Sequence, residues 1–257
     1  MKITFLGTGT SQGVPVIGCT CEVCLSLDYR DKRFRTSVHI EVNGQSFVID
    51  TGPDFRQQML RENIRRVDAV IFTHSHRDHT AGLDDIRAYN FIQHMDMPIY
   101  GTREVLSQLR TEYSYAFGKV VYPGIPRLAL NEIGEDTFMI NNVRITPLPV
   151  KHMNLPVLGF RINNFSYITD ANQIPVETLK KMEGTEILAL NALQKEKHVS
   201  HFNIDEAIQQ VEKIKPKQTY FIYISHKMGL HADISKELPE NINLAFDGQQ
   251  IESTNYD

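Results

Sequence analysis

The segment Thr73-His74-Ser75-His76-Arg77-Asp78-His79 puts three imidazoles and a carboxylate within six residues. It directly follows Asp68-Ala69-Val70-Ile71-Phe72, a short apolar run with β-branched residues that reads as a buried strand. Extended backbone sends His74 and His76 to the same side. Asp78 and His79 then reach the same cavity from another direction as the chain turns toward a helix. Imidazoles and a carboxylate buried together need a partner such as a metal ion. A surface His/Asp cluster is the competing reading, and the buried strand ahead of the motif argues against it.

Such a motif supplies half of a two-metal site, so further ligands are expected at the ends of later strands. His152 follows Leu148-Pro149-Val150, Asp170 follows Tyr167-Ile168-Thr169, and His226 follows Phe221-Ile222-Tyr223-Ile224-Ser225. Open α/β sheets place their ligands just past the carboxyl ends of strands. A single histidine after a strand is more often a structural residue, but three ligands in order beside H-x-H-x-D-H read as a set. A second cluster is formed by Cys19, Cys21 and Cys24, which are all the cysteines of the chain. Close thiols of odd number suit a metal better than a disulfide. A structural zinc is four-coordinate, so a fourth ligand is needed. His231 is the expected one, with His198 and His39 as weaker choices.

The elements that must position these groups are mostly strands. Lys2–Leu6, Ser37–Val42 and Ser46–Asp50 read as strands, the last two joined by a tight Asn43-Gly44 turn. Further strands are expected at Pro98–Tyr100, Val143–Leu148, Val157–Ile162, Ser166–Thr169, Ile187–Leu190 and Thr219–Ile224. A helix is expected from Leu83 to about His94, with Ile86 and Asn90 or Phe91 facing inward. The clearest helix runs from Asn203 to Lys215: Asn203 caps it, Ile204, Ile208, Val211 and Ile214 form its apolar stripe, and Pro216 stops it. The aromatic-rich segment Tyr113–Leu128 reads as local core, with a substrate lid as the alternative. Strands in mixed order fit two sheets packed face to face with helices outside.

Composition narrows the class. The 257 residues are 41% hydrophobic and 23% charged, ordinary for a soluble globular protein, and the net charge of −4 gives no broadly basic nucleic-acid surface. Arg61, Arg65 and Arg66 leave room for a local basic groove. The N-terminus lacks a secretory pattern and no stretch approaches a membrane span, so a cytoplasmic protein that does not enter a membrane is expected.

Taken together, the chain resembles the metallo-β-lactamase superfamily over nearly its whole length. The opening Phe5-Leu6-Gly7-Thr8-Gly9-Thr10-Ser11-Gln12-Gly13-Val14-Pro15 with Cys19-x-Cys21-x-x-Cys24 is similar to PhnP-like phosphodiesterases, and His201-Phe202-Asn203-Ile204-Asp205-Glu206-Ala207 resembles a segment of tRNA 3′-processing nucleases and its counterpart in the PhnP-like phosphodiesterases. As a phosphate loop the glycine-rich opening is weak, since it lacks the G-K-[ST] ending; a strand-to-loop turn suffices. The resemblance implies an αββα four-layer sandwich of two mixed sheets with helices on the outer faces, as one domain over residues 1–257. It implies that His74, His76 and His152 hold one ion, that Asp78, His79 and His226 hold the other, and that Asp170 bridges them. Asp50 would orient a ligating imidazole, and a turn-capping role is its alternative.

His201, with Asp78, forms the expected catalytic pair, His201 as general acid. The cofactors implied are two divalent ions, zinc first and manganese or iron next, plus one structural zinc held by the cysteines. The reaction implied is attack of a metal-bridging hydroxide on a small cyclic or linear phosphodiester. Three alternatives stand beside it: a tRNA 3′-processing-type endoribonuclease, a lactone, ester or thioester hydrolase, and a non-catalytic metal-binding module. No long inserted arm for gripping tRNA is visible, so nucleic acid is not the favoured partner. A homodimer is left open.

Overall fold

The computed structural model of the chain describes residues 1–118 and 123–253. Its strands are β1 Lys2–Gly7, β2 Ser37–Val42, β3 Gln45–Ile49, β4 Ala69–Ile71, β5 Met97–Gly101, β6 Leu128–Glu132, β7 Phe138–Ile140, β8 Val143–His152, β9 Leu155–Ile162, β10 Phe165–Ile168, β11 Ile187–Asn191, β12 Gln218–Ile222, β13 Ile242–Leu244 and β14 Gln250–Glu252. They form two seven-stranded sheets among the described residues, ordered β14-β1-β2-β3-β4-β5-β6 and β13-β12-β11-β10-β9-β8-β7. Each sheet is mixed. β3 to β6 run parallel in the first and β10 to β13 run parallel in the second. Parallel strands end on a common edge, and that edge is where the ligand-type residues gather.

The helices are α1 Glu22–Leu25, α2 Phe55–Arg61, α3 Arg77–Thr80, α4 Arg87–Gln93, α5 Arg103–Glu112, α6 Val176–Lys181, α7 Ile204–Ile214 and α8 His231–Glu237. Apolar packing defines the layers. Phe5, Ile40, Phe47 and Ile71 of one sheet meet Ile145, Phe160, Phe165 and Ile222 of the other. Ile168, Leu188, Leu190 and Phe221 pack outward against Ala207, Val211 and Ile234 of α7 and α8. On the opposite side Val48, Val70 and Ile99 pack against Phe55, Met59, Val105 and Leu109 of α2 and α5. The result is the αββα sandwich, with each sheet buried on both faces.

Local chemistry explains the elements that were legible. Asn43 and Gly44 have φ of 49° and 75°, so the β2–β3 hairpin closes on two left-handed residues that this pair tolerates. Asn203 caps α7 by accepting from the Glu206 N–H at 2.9 Å, and the Glu206 carboxylate accepts from the Asn203 N–H at 3.1 Å. The expected Leu83–His94 helix is a 3₁₀ turn over Leu83–Ile86 that runs into α4. Ile86 and Asn90 face inward, while Phe91 is 58% exposed. Asn90 earns its place by donating to the Met95 and Arg127 carbonyls.

Tyr113 is buried and donates to the Thr80 carbonyl at 2.8 Å, whereas Tyr115 and Phe117 are on the surface. Tyr122, the fourth aromatic residue of the expected local core or lid, lies outside the described residues. The three arginines that suggested a groove, Arg61, Arg65 and Arg66, all lie on the surface. Arg61 contacts Glu62, Asp247 and the Leu6 carbonyl, and Arg66 pairs with Asp68 at 2.9 Å. No helix among the described residues is long and apolar enough to cross a membrane.

One buried polar pair gives the fold a pH dependence. Ser46 Oγ donates to the Arg66 carbonyl, so it accepts from His39 Nε2–H at 2.7 Å. Burial pushes His39 down to about 4. A histidine whose folded pKa lies below its unfolded value favours the fold only while neutral. Its contribution is therefore full above about pH 6.5 and lost as pH falls toward 4. A shift of this size corresponds to at most ~3 kcal/mol. The variant His39→Gln, which keeps a donor, should lose less stability between pH 7 and 4.5 than the parent does in urea unfolding. Parallel profiles for the two proteins would exclude this origin.

Candidate metal centres

Asp50, just past β3, and Asp78–His79, in α3, come from segments that interlock. The Thr51 N–H donates to the His79 carbonyl at 2.7 Å, and the Gly82 N–H donates to the Thr51 carbonyl at 2.8 Å. A Cβ on Gly52 would lie 2.1 Å from the Asp78 carbonyl, so only glycine allows this approach. Asp50, at φ 63°, turns its carboxylate inward, where it accepts from His79 Nδ1 at 2.7 Å and from the Thr73 N–H and hydroxyl at 2.9 and 2.8 Å. It therefore orients His79 and leaves Nε2 free to face the cavity. Helix α5 braces the motif from outside, with Gln108 donating to the Ser75 carbonyl and Arg77 paired with Glu112 at 3.1 Å.

Six of the seven expected ligands converge. His74 Nε2 lies 3.0 Å from His76 Nδ1, and the His76 and His152 rings are 5.4 Å apart. His152 Nδ1 donates to the Ser200 carbonyl at 2.8 Å, which turns the opposite nitrogen inward. His79 Nε2 is 3.2 Å from both Asp78 Oδ2 and Asp170 Oδ2. Ligands bonded at about 2.0–2.1 Å to one ion are about 2.9–3.4 Å apart, so these separations fit a shared ion. His79 Nε2 and Asp170 Oδ1 are buried without a hydrogen-bond partner among the described residues. Orphaned buried polar atoms of that kind call for an ion. The His/Asp cluster fits a dinuclear site.

The electrostatics agree. Burial opposes a charged His79, yet Asp78, Asp170 and Asp50 together hold its pKa well above the usual value. Burial also opposes ionisation of Asp78, but His79 keeps it at about 2. Burial pushes His201 down to about 4 against the pull of Asp170, whose Oδ1 is 3.8 Å away. His201 sits one residue ahead of Phe202, whose N–H donates to the Ala171 carbonyl, so the loop before α7 is tied to the strand end that carries Asp170.

The seventh expected ligand is elsewhere. His226 Nδ1 lies 3.3, 3.4 and 3.6 Å from the sulfurs of Cys19, Cys21 and Cys24. A tetrahedral zinc with ordinary bonds to sulfur and nitrogen sets this separation at about 3.5 Å. His226 thus completes the cysteine cluster, and the assignment of His231 as its fourth ligand is corrected. His231 instead opens α8, donating its N–H to Asp31 at 2.8 Å with Nδ1 3.2 Å from Arg33. His39 is held by Ser46, and His198 lies beside Ser200. The reason for the exchange is local: the loop after β12 turns at Tyr223, φ 58°, and sends Tyr223 rather than His226 into the His/Asp cluster. Sequence reading passed over Tyr223 as a strand residue. Its position immediately after β12, where Asp170 stands two residues after β10, was the available signal.

Residues 45–224 match the family model described as a beta-lactamase superfamily domain, and the chain belongs to the metallo-β-lactamase superfamily, close to PhnP. The crystal structure of a new diphosphatase from the PhnP family is 36% identical, with a TM-score of 0.91 over 97% of this chain and 96% of that one. An octanoyltransferase of Porphyromonas gingivalis is 38% identical over 96% of this chain and 51% of its own length. A ribonuclease Z of Bacillus licheniformis is 28% identical over 63% of this chain and 48% of its own length. The chain spans about half the length of the curated relatives it matches. The fold and the His/Asp cluster together make a site with the donor set to hold metal ions.

Three substitutions test the two centres. His226→Ala should lower the metal content of the cysteine cluster while leaving the ions of the His/Asp cluster in place, and His231→Ala should leave metal content unchanged. Loss of an active-site ion from His226→Ala, with the cysteine cluster still loaded, would reverse the assignment. Asp50→Asn should weaken metal binding at the His79 position by roughly 10–100-fold in a chelator competition. Unchanged affinity would leave Asp50 with a turn-capping role only.

Proposed function

We propose that the chain is a phosphodiesterase that hydrolyses small cyclic or linear phosphodiesters, with His201 as general acid. The observation that carries the reading is the juxtaposition of His201 with the shared carboxylate Asp170, in a chain 36% identical to a PhnP-family diphosphatase. His74, His76 and His152 would hold one divalent ion, and Asp78 and His79 the other, with Asp170 between them. The ions, when bound, would supply Lewis acidity toward phosphoryl oxygens and a hydroxide at neutral pH. Zinc is the first choice, manganese or iron the next. A third zinc would be structural, held by Cys19, Cys21, Cys24 and His226.

The chain's own residues set the geometry of proton transfer. His201 faces Asp170 at its front and packs against His152, the two rings tilted at 49° with centroids 4.5 Å apart. An anionic phosphoryl group beside Asp170 would add to that carboxylate's pull and favour the protonated imidazole. His201 then donates to the leaving-group oxygen as the ester bond breaks. Asp78 serves as a ligand within this arrangement. Its Oδ2 is engaged by Tyr223 and close to His79.

A second reading, cleavage of a P–O–P linkage, is favoured by the description of that 36% identical structure as a diphosphatase. Either substrate is a small anion. Three free thiols gathered on one histidine suit a reducing compartment, so a cytoplasmic location belongs to the reading.

A panel of bis-aryl phosphate, 2′,3′-cyclic nucleotide, nucleoside diphosphate ester, aryl acetate, lactone and precursor tRNA separates the possibilities. Activity on the tRNA alone would overturn the small-phosphodiester reading. His201→Ala should keep its metal and slow substrates with poor leaving groups by about 10²–10⁴-fold, while nitrophenolate esters suffer much less. Equal losses on both substrate types would assign His201 to binding or structure.

A further inference from the structure

On the Asp78–His79 side of the centre, the end of β12 presents a phenol. Tyr223 is the first residue past that strand and only 3% exposed. Its hydroxyl donates to Asp78 Oδ2 at 2.9 Å. Its ring lies nearly parallel to His79, at 6.0 Å and 10°, and 4.7 Å from His201. The backbone that aims it is held left-handed at φ 58°, a conformation that is strained for a bulky residue. Ile224 is strapped on both sides to keep it there, donating to the Thr8 carbonyl at 2.9 Å and accepting from the Thr10 N–H at 3.1 Å. The glycine-rich opening after β1 thus serves to fix this turn. Strain retained at a cluster of ligands points to a required side-chain position.

We propose that the Tyr223 phenol oxygen is a ligand of the ion held by Asp78, His79 and Asp170. This rests on the dinuclear reading above. Around Asp78 Oδ2, the Tyr223 oxygen at 2.9 Å and His79 Nε2 at 3.2 Å keep the spacing that ligands of one ion adopt, and His79 Nε2 is again 3.2 Å from Asp170 Oδ2. Binding of the ion would release to solvent the hydroxyl proton that Tyr223 shares with Asp78, leaving both oxygens as ligands. The two positions then differ in kind. His74, His76 and His152 make a nitrogen-rich position suited to zinc. Asp78, Asp170 and Tyr223, with His79 as the one imidazole, make an oxygen-rich position suited to manganese or iron.

The test uses the full chain, stripped of metal and titrated with ferric nitrilotriacetate, with bound iron measured by elemental analysis. A phenolate on ferric iron absorbs visible light, and resonance Raman excitation in that band returns phenolate ring vibrations. Those vibrations separate it from iron bound by Cys19, Cys21 and Cys24. The expected result is phenolate vibrations that grow with bound iron in the parent and vanish in Tyr223→Phe, while that variant still takes up iron at its remaining ligands. Tyr223→His should lose the vibrations and shift the position's preference from manganese toward zinc when the two metals compete. Iron bound in the His/Asp cluster without phenolate vibrations, or vibrations that persist in Tyr223→Phe, would overturn the tyrosine ligand and leave the dinuclear reading standing. Parent protein that takes up metal only at the cysteine cluster would overturn both.

Discussion

His79 is held between three carboxylates, with Asp50 on one ring nitrogen at 2.7 Å and Asp78 and Asp170 both 3.2 Å from the other. All are buried or nearly so, and charges taken out of water must be compensated by close, well-aligned partners. The rest of the structure depends on meeting that requirement. Asp50 arrives from the end of β3, His79 from the short helix α3 that follows β4, and Asp170 from the end of β10, so strands of both sheets must end at one place. The face-to-face packing of the sheets through Phe47, Ile71, Phe160 and Ile222 fixes those ends relative to one another.

Backbone strain marks the same place. Asp50 and Tyr223 both have left-handed φ, 63° and 58°, although neither is glycine. Each stands at the carboxyl end of a parallel strand, and each turns a polar group into the cluster. The surroundings hold them there: the Thr73 N–H and hydroxyl both donate to the Asp50 carboxylate, and the loop after β1 clasps Ile224 beside Tyr223. Glycine is used where chains must touch, as at Gly52 against Asp78. The two uses are complementary, one admitting close approach and the other aiming a side chain.

The cysteine cluster closes the opposite side of the β12 loop. Tyr223 and His226, three residues apart, face different centres, so the turn between them couples the thiols to the His/Asp cluster. The Cys24 N–H lowers the Cys21 thiol to about 6, which favours the thiolate that a metal needs. A metal on these four residues would fix the loop that carries Tyr223.

Periodicity and spacing determined much of this protein. H-x-H-x-D-H after a β-branched run, the strand-end positions of His152 and Asp170, the Asn43-Gly44 hairpin and the capped helix after Asn203 are all local patterns, decided by residues a few positions apart. The short helices α2 and α6 and the edge strands β6, β7, β13 and β14 were not legible, because their stability comes from packing on a sheet already formed. The division of labour between Tyr223, His226 and His231 was decided only by the tertiary structure. Those three lie within nine residues, and composition favours either histidine for either centre. What separates them is a single left-handed turn, and that turn exists because Thr8 and Thr10, more than two hundred residues away in the chain, clamp Ile224 from both sides.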